Sequence, residues 1–241
     1  MPEPTDLLNG SRGSPVSPKN VERVPIRGRV LAMAILALIG GVTFLPFLAA
    51  GNHQPVASLV PFALVVTLVA TLAAWPGLRC ADATELPMPL LRRLDGLRVG
   101  EVSRRGIGVT LAWSVALGLL GLLVLRLVDA PPLPGGPTTR ALSVFFAAGP
   151  LEIVLHLGVM SIVVWLARGR RAPGIVAAAA LLVAFHLTGD ALAQPARIIV
   201  ITVIGNGAIG LVLGWIYAAY GFECVMLGHA IAHLITVVGG P

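Results

Sequence analysis

The sequence predicts an all-α, polytopic membrane protein of about seven transmembrane helices. Of its 241 residues, 56% are hydrophobic and only 12% are charged, and the mean hydropathy is +0.90, far from the values of a soluble domain. A helix needs about 20 apolar residues to cross the ~30 Å hydrocarbon core of a bilayer. Seven stretches reach or approach that length, at residues 30–50, 57–76, 107–128, 141–166, 174–193, 198–219 and 222–238.

The basic residues indicate the orientation of these spans. Of the 17 Lys and Arg residues, 14 precede the first span or lie in the loops after the second and the fourth. Because Lys and Arg concentrate in cytoplasmic loops, we expect the N-terminus to be cytoplasmic and the C-terminus to be outside. The net charge of +6 then reflects topology. The partner that it indicates is the lipid bilayer, and no nucleic-acid partner is expected.

Two polar regions flank the first spans. Residues 1–29 are rich in Pro, Ser, Gly and charge and are typical of a disordered cytoplasmic tail. The N-terminal transmembrane part, residues 30–136, contains a polar cytoplasmic loop at 77–106. Within that loop the mixed stretch LLRRLDGLRVGEVSRRG favours a short amphipathic helix on the membrane surface.

The remaining patterns indicate structure rather than chemistry. Gly210 and Gly214 in the sixth span have the GxxxG spacing that lets helices approach closely in lipid, which predicts a packing face. Cys80 and Cys224 both map to the cytoplasmic side without a CxxC pattern. Neither a disulfide nor a thiolate zinc site is therefore expected.

The residues most indicative of function are ionisable side chains inside the spans. Glu152 is the one acidic residue near the middle of a predicted span, and His156, His186, His229 and His233 also lie at membrane depth. A charged side chain at that depth costs at least ~2.5 kcal/mol, so it normally faces a protein interior and marks function. These five residues are the candidate site.

Their spacing predicts how they meet. Glu152 and His156 lie four residues apart on one helix face, just after Pro150, which removes a backbone hydrogen bond and loosens the helix. Counted from the same side of the membrane, His186 is close to the depth of Glu152. A Glu and a His at one depth can share a water, which the carboxylate then deprotonates for attack on a carbonyl.

The last span carries a second histidine pair. His229 and His233 form HAIAH, the i, i+4 spacing that zinc uses in soluble metalloproteases, but Ala230 stands where those enzymes have a general-base Glu. No cofactor is expected from this pattern. Zinc stays open if Glu152 or another histidine supplies the missing ligand.

In this order, the motifs resemble those of the CPBP family, which comprises CaaX prenyl proteases of the Rce type and bacteriocin-processing or self-immunity (Abi) proteins. LEIVLH is similar to the family motif EExxxR, with Glu152 at the second glutamate, Leu151 in place of the first and His156 in place of the arginine. LVAFH is similar to FxxxH, with Leu182 at the phenylalanine position, and HAIAH is similar to HxxxN. The resemblance covers roughly residues 137–241.

The resemblance implies a glutamate-dependent intramembrane endopeptidase in a bacterial cell membrane, with residues 137–241 as its catalytic region. Glu152 and His186 would activate water, His229 and His233 would stabilise the oxyanion, and the cavity would open toward the cytoplasm. The substrate would be a membrane-associated peptide or protein, and nothing in the sequence specifies a prenylated cysteine. Two alternatives stay open: a catalytically weak relative acting as an immunity or interaction protein, and a histidine-rich metal or haem site. The oligomeric state is not predicted.

Overall fold

The fold follows from a computed structural model, which describes residues 26–96, 103–128, 132–187 and 194–240. The described residues form helices and no strand. The predicted tail up to residue 25, part of the predicted cytoplasmic loop (97–102) and the end of the predicted fifth span (188–193) lie outside the described residues. Within the described residues the helices are α1 Arg27–Asn52, α2 Val60–Ala83, which a 3-10 turn at Val56–Leu59 precedes, α3 Pro89–Leu94, α4 Arg104–Leu127, α5 Pro137–Leu166, α6 Arg171–His186, α7 Ala196–Tyr220 and α8 Phe222–Gly239.

The helices confirm the predicted class of an all-α, multi-pass membrane protein. Six of them are long and apolar enough to cross a membrane, and α6 is apolar but has only 16 residues. At 1.5 Å per residue, α6 is ~24 Å long, shorter than the ~30 Å hydrocarbon core. Large apolar side chains that would be buried in a soluble protein are exposed, as expected for surfaces in contact with lipid tails. On α1 they follow a helical period and comprise Leu31, Ile35, Leu38, Ile39 and Val42.

Several helix bounds differ from those predicted. α1 begins at Arg27 rather than at residue 30, and α2 continues to Ala83, well into the predicted loop 77–106. Both helices extend because their polar ends are paired with each other. The guanidinium of Arg29, 0% exposed, donates to Asp82 at 2.8 Å and to Asp95 at 2.5 Å. Within the predicted loop, the short helix α3 is present at Pro89–Leu94.

Helix α5, which carries Glu152, is the centre of the bundle. Of its most apolar stretch, 67% is buried, against 11–39% in the other five candidate spans. It packs against α1, α2, α6 and α8. Two glycines allow the closest approaches. A Cβ on Gly40 of α1 would lie 2.4 Å from Pro150, and one on Gly77 of α2 would lie 2.1 Å from the carbonyl oxygen of Leu157.

Helices α5, α6, α7 and α8 form a four-membered ring in which each packs on its neighbours. The predicted glycine face of α7 is confirmed as a packing surface. A Cβ on Gly210 would lie 2.7 Å from Ala179 of α6, and one on Gly214 would lie 3.0 Å from Ile175. Because α6 and α8 both pack on α5 and α7 and lie across the ring from each other, side chains of all four helices can face a common interior.

The end of the bundle nearest the arginine-rich loops is tied together by polar contacts. The carboxylate of Glu223, at the start of α8, accepts hydrogen bonds from the backbone N–H groups of Leu90 (2.8 Å) and Leu91 (2.9 Å) in the first turn of α3. Arg171, at the start of α6, donates to the carbonyl of Ala218 at 2.7 Å. We call this end the arginine-rich face and the other end, where α5 begins and α6 ends, the opposite face.

Candidate active site around Glu152

Glu152 lies in a stretch of α5 whose turns are wider than those of an α-helix. Residues Ala147–Leu151 and Ile153–Met160 are π-helical, with i→i+5 hydrogen bonding, and Glu152 stands between them. Pro150 has no N–H for the carbonyl of Phe146, where an α-helix would place its bond, so a wider turn is favoured there. The sequence predicted loosening at Pro150, and the structure extends it through two further turns. Wide turns of this kind bring side chains of α5 into positions that regular helix spacing does not allow.

The carboxylate of Glu152 is fully buried and is shared by two histidines. Oε2 is hydrogen-bonded to Nδ1 of His156 on the same helix, and Oε1 is hydrogen-bonded to Nδ1 of His229 on α8. Since both carboxylate oxygens accept, both imidazoles donate from Nδ1. The i, i+4 pairing of Glu152 with His156 on one face, which the spacing predicts, is present. The bond to His229 links α5 to α8 across 77 residues of chain.

His156 is held by one of its two ring nitrogens. Its side chain is 1% exposed, and among the described residues its buried Nε2 has no hydrogen-bond partner. The bond from Nδ1 to Glu152 therefore fixes the orientation of the ring. Its ring meets the ring of Tyr217 edge to face, with centroids 6.3 Å apart.

Tyr217 and Ser161 close the site on the side of the arginine-rich face. The hydroxyl of Ser161 donates to the backbone carbonyl of His156 at 3.2 Å, so it accepts from the Tyr217 hydroxyl at 2.9 Å. Both residues are 0% exposed. The ring of Tyr217 packs in turn on Phe222, with centroids 5.8 Å apart. Neither residue was predictable as part of the site, because a lone Ser or Tyr in an apolar helix carries no spacing signal.

His229 and His233 lie on one face of α8, as the HAIAH spacing predicts, with their ring centroids 6.2 Å apart. Nε2 of His233 is 3.3 Å from the hydroxyl of Ser143 on α5. That hydroxyl donates its one hydrogen to the carbonyl of Arg140 at 2.6 Å. It must therefore accept from His233, whose proton is on Nε2. Neutral His229 and neutral His233 thus have opposite tautomers, and each has one nitrogen without a proton.

His186 is the last residue of α6, and its hydrogen bond in the structure is to the backbone of its own helix. Its Nδ1 is 2.9 Å from the carbonyl oxygen of Leu182, one turn earlier, so the proton is on Nδ1. The side chain is exposed within the chain, and it lies within electrostatic range of His229 and His233. The direct partners of Glu152 are His156 and His229. A water shared between Glu152 and His186 stays a prediction.

Exposure increases in one direction through this site. The side chains of Glu152 and His156 are 0% and 1% exposed, and that of His229 is 10% exposed. His233 is half-buried and His186 is exposed. A small molecule that reaches Glu152 without rearrangement of the helices therefore passes His229. Within the described residues, no group of three or more His, Cys, Asp or Glu side chains is arranged to hold a metal ion.

No family model, curated protein or solved structure matches this chain.

Proposed function

We propose that the protein is an intramembrane peptidase in which Glu152 orients His229 and His229 activates water. The observation that carries the proposal is the hydrogen bond between the buried carboxylate of Glu152 and Nδ1 of His229. Among Glu152, His156 and His229, His229 is the least buried. The motif resemblance to CPBP endopeptidases supports the same reaction. The resemblance implies that the carboxylate of Glu152 is the general base, whereas in this proposal the general base is the imidazole of His229.

The geometry supports a carboxylate–histidine mechanism. With its proton on Nδ1, neutral His229 has a lone pair on Nε2 that can accept a proton from water. The water oxygen attacks the carbonyl carbon of the peptide bond as its proton moves to Nε2. The buried carboxylate stabilises the resulting imidazolium, as in other acid–histidine pairs. Nε2 then donates that proton to the leaving amine, the C–N bond breaks, and the products are an amine and a carboxylic acid.

The remaining residues have supporting roles in this scheme. His156 occupies the second oxygen of Glu152, so the carboxylate cannot rotate away from His229. His233 is held by Ser143, and its unprotonated Nδ1 accepts a hydrogen bond in the neutral state. When protonated, His233 or His186 would donate to the oxyanion that forms at the attacked carbonyl, the role that the resemblance implies for His233.

The proposed location and substrate follow from the membrane-spanning helices and from the distribution of Lys and Arg. The protein is a multi-pass membrane protein, and we place it in the cell membrane with the arginine-rich face toward the cytoplasm, following the distribution of Lys and Arg. The proposed substrate is a membrane-associated peptide or protein segment. Because water is scarce at this depth, the polar side chains around Glu152 would also hold the attacking water.

A second candidate function is a non-catalytic role, with Glu152 as a clamp between α5 and α8. The complete burial of its carboxylate favours this reading, because each oxygen already has a histidine partner. A family relative of this kind would act as an immunity or interaction protein. A histidine-rich metal or haem site stays a prediction. Metal analysis and the visible absorption spectrum of the purified protein test it.

The test is cleavage by purified protein of a library of single-span transmembrane peptides in liposomes, read by mass spectrometry. We expect wild-type protein to cleave and His229→Gln to lose at least about 100-fold in rate, since a general base contributes about 10²–10⁴-fold. Glu152→Gln should lose a similar factor. His53→Gln, in the exposed turn after α1, is the matched control and should cleave normally. Cleavage that persists in His229→Gln would refute the mechanism, and no cleavage by any folded variant would favour the clamp.

A further inference from the structure

The interior around Glu152 is closed toward the arginine-rich face. Between the site and that face lie side chains of α5, α7 and α8 that are 0% exposed. Tyr217 is held there on both sides, by Ser161 through its hydroxyl and by Phe222 through its ring. Fully buried residues on this side of the site are Met160, Ser161, Ile216, Tyr217, Phe222 and Val225.

Toward the opposite face, the interior of the ring instead carries polar side chains, of which Ser143 is buried, Asn206 and His233 are partly buried and His186 is exposed. Ser143 of α5 and His233 of α8 are hydrogen-bonded to each other at 3.3 Å, and His186 ends α6. Asn206 is the amide side chain within the apolar helix α7. Its Nδ2 donates to the carbonyl of Thr202 at 3.0 Å, and within the described part of the chain its second N–H and its Oδ1 have no further hydrogen-bond partner.

The position of Asn206 follows from helix geometry. Asn206, Leu213 and Tyr217 have the spacing i, i+7, i+11, so they share one face of α7. Tyr217 contacts His156 of α5, and Leu213 lies 3.7 Å from where a Cβ on Gly228 of α8 would be. This face of α7 is therefore directed toward α5 and α8, and Asn206 points into the ring.

The depth of Asn206 follows from the packing of α7 on its neighbours. The next residue, Gly207, contacts Val183 of α6, three residues before His186. Asn206 is seven residues before Leu213, and His233 is five residues after Gly228, so in this antiparallel pair their depths differ by only ~3 Å. Each of the four ring helices thus contributes one polar residue at a similar depth, beyond Glu152. We call this group, Ser143, His186, Asn206 and His233, the polar vestibule.

We propose that the polar vestibule is the entrance to the site and binds the backbone of an extended peptide segment that arrives from the opposite face. The inference rests on the proposed peptidase function, and it reverses the direction of access that the family resemblance implies. An extended peptide presents unpaired N–H and C=O groups that must be hydrogen-bonded in the membrane. The second N–H of Asn206 can donate to them and its Oδ1 can accept from them. With the arginine-rich face in the cytoplasm, the substrate would be an extracytoplasmic segment of a membrane-bound protein.

Cysteine accessibility tests the direction of access without requiring cleavage. In a Cys80→Ala, Cys224→Ala background, Asn206→Cys is treated with a membrane-impermeant maleimide in intact cells and in inverted vesicles. Arg126→Cys, exposed at the end of α4, and Arg170→Cys, exposed before α6, report the two faces. We expect Asn206→Cys to be labelled from the same side as Arg126→Cys and protected on the side of Arg170→Cys. Thr202→Cys, one turn farther out, gives the same test if Asn206→Cys does not fold.

The side from which Asn206→Cys is labelled determines whether the polar vestibule is the entrance. Labelling of Asn206→Cys and Thr202→Cys from the side of Arg170→Cys, or from neither side while both references react, would overturn the proposed entrance. Labelling as expected, without cleavage by the wild-type protein, would retain the entrance and reject the peptidase. Where cleavage is present, the labelled Asn206→Cys protein should lose it, whereas the labelled Arg126→Cys protein should keep it.

Discussion

The contact between α2 and the widened part of α5 gives a sharp prediction for the substitution Gly77→Ala. A Cβ at this position would lie 2.1 Å from the carbonyl oxygen of Leu157 and 2.7 Å from its carbonyl carbon. Both are backbone atoms of the helix that holds Glu152, so no side-chain rotation relieves the clash. Ordinary contact begins at 3.4 Å, and the two helices must separate by about 1.3 Å to reach it.

The magnitude follows from that separation. Overpacking usually costs about 1–3 kcal/mol, and a clash of the added Cβ with backbone atoms of the neighbouring helix belongs at the upper end. Removing a helical glycine returns about 0.5–1 kcal/mol through backbone entropy. We therefore expect Gly77→Ala to lower the free energy of unfolding by about 2 kcal/mol. The matched control is Gly108→Ala on α4, an exposed glycine with nothing within 4 Å of its Cβ position. It should be neutral or stabilising by up to about 1 kcal/mol.

The assay is reversible unfolding of both variants in mixed detergent and SDS micelles, followed by far-ultraviolet circular dichroism. Both variants add the same methylene-sized group, so their difference isolates the contact with α5. If Gly77→Ala unfolds at the same SDS fraction as the wild type or as Gly108→Ala, α2 does not pack on Leu157 as described. The position of the widened turns would then need revision.

Three further substitutions test other parts of the structure. Glu152→Gln should lower the free energy of unfolding by about 1–3 kcal/mol, since its amide oxygen still accepts from one imidazole N–H while its NH2 group cannot accept from the other, whereas Glu152→Leu should lose about 2–6 kcal/mol because both imidazole N–H groups lose their acceptor; equal stabilities measured by SDS titration would argue against the shared carboxylate. Arg29→Ala should cost about 3 kcal/mol, the lower end for breaking a buried ion pair, because it leaves Asp95 without its cation while Asp82 keeps Arg92 at 3.2 Å; Arg27→Ala, at an exposed position, is its control, and similar unfolding curves for the two would contradict the buried network. Tyr217→Phe removes one hydrogen bond to Ser161 and should cost about 0.5–1.5 kcal/mol while leaving peptide cleavage unchanged; a large loss of cleavage at normal stability would show that Tyr217 takes part in the chemistry.

The fold class could be predicted from the sequence because membrane insertion depends on local composition. A run of about 20 apolar residues is a helix in a bilayer whatever its neighbours, since its backbone groups must be paired internally. The predicted GxxxG packing face of α7 is local in the same sense. The ends of the helices were less predictable. Helix α1 begins earlier and α2 ends later than predicted. Both extensions follow from the ion pairs of Arg29 with Asp82 and Asp95, which are distant from it in the chain.

The candidate site was predictable in part. The cost of a carboxylate at membrane depth singled out Glu152 and the four histidines, and spacing alone paired Glu152 with His156. Nothing local distinguishes Ser143, Ser161, Asn206 or Tyr217 from other polar residues in apolar helices.

The sequence by itself therefore determined that the chain forms membrane-spanning helices and that Glu152 needs polar partners, because both follow from the free energy of burying groups in hydrocarbon. Only the tertiary structure decided which partners these are. The π-helical turns of α5 and the packing of α5 against α8 bring His229 to Glu152 and leave His186 at the end of α6. Those positions depend on glycine contacts between helices and on turn widths, which residue spacing along one helix does not encode.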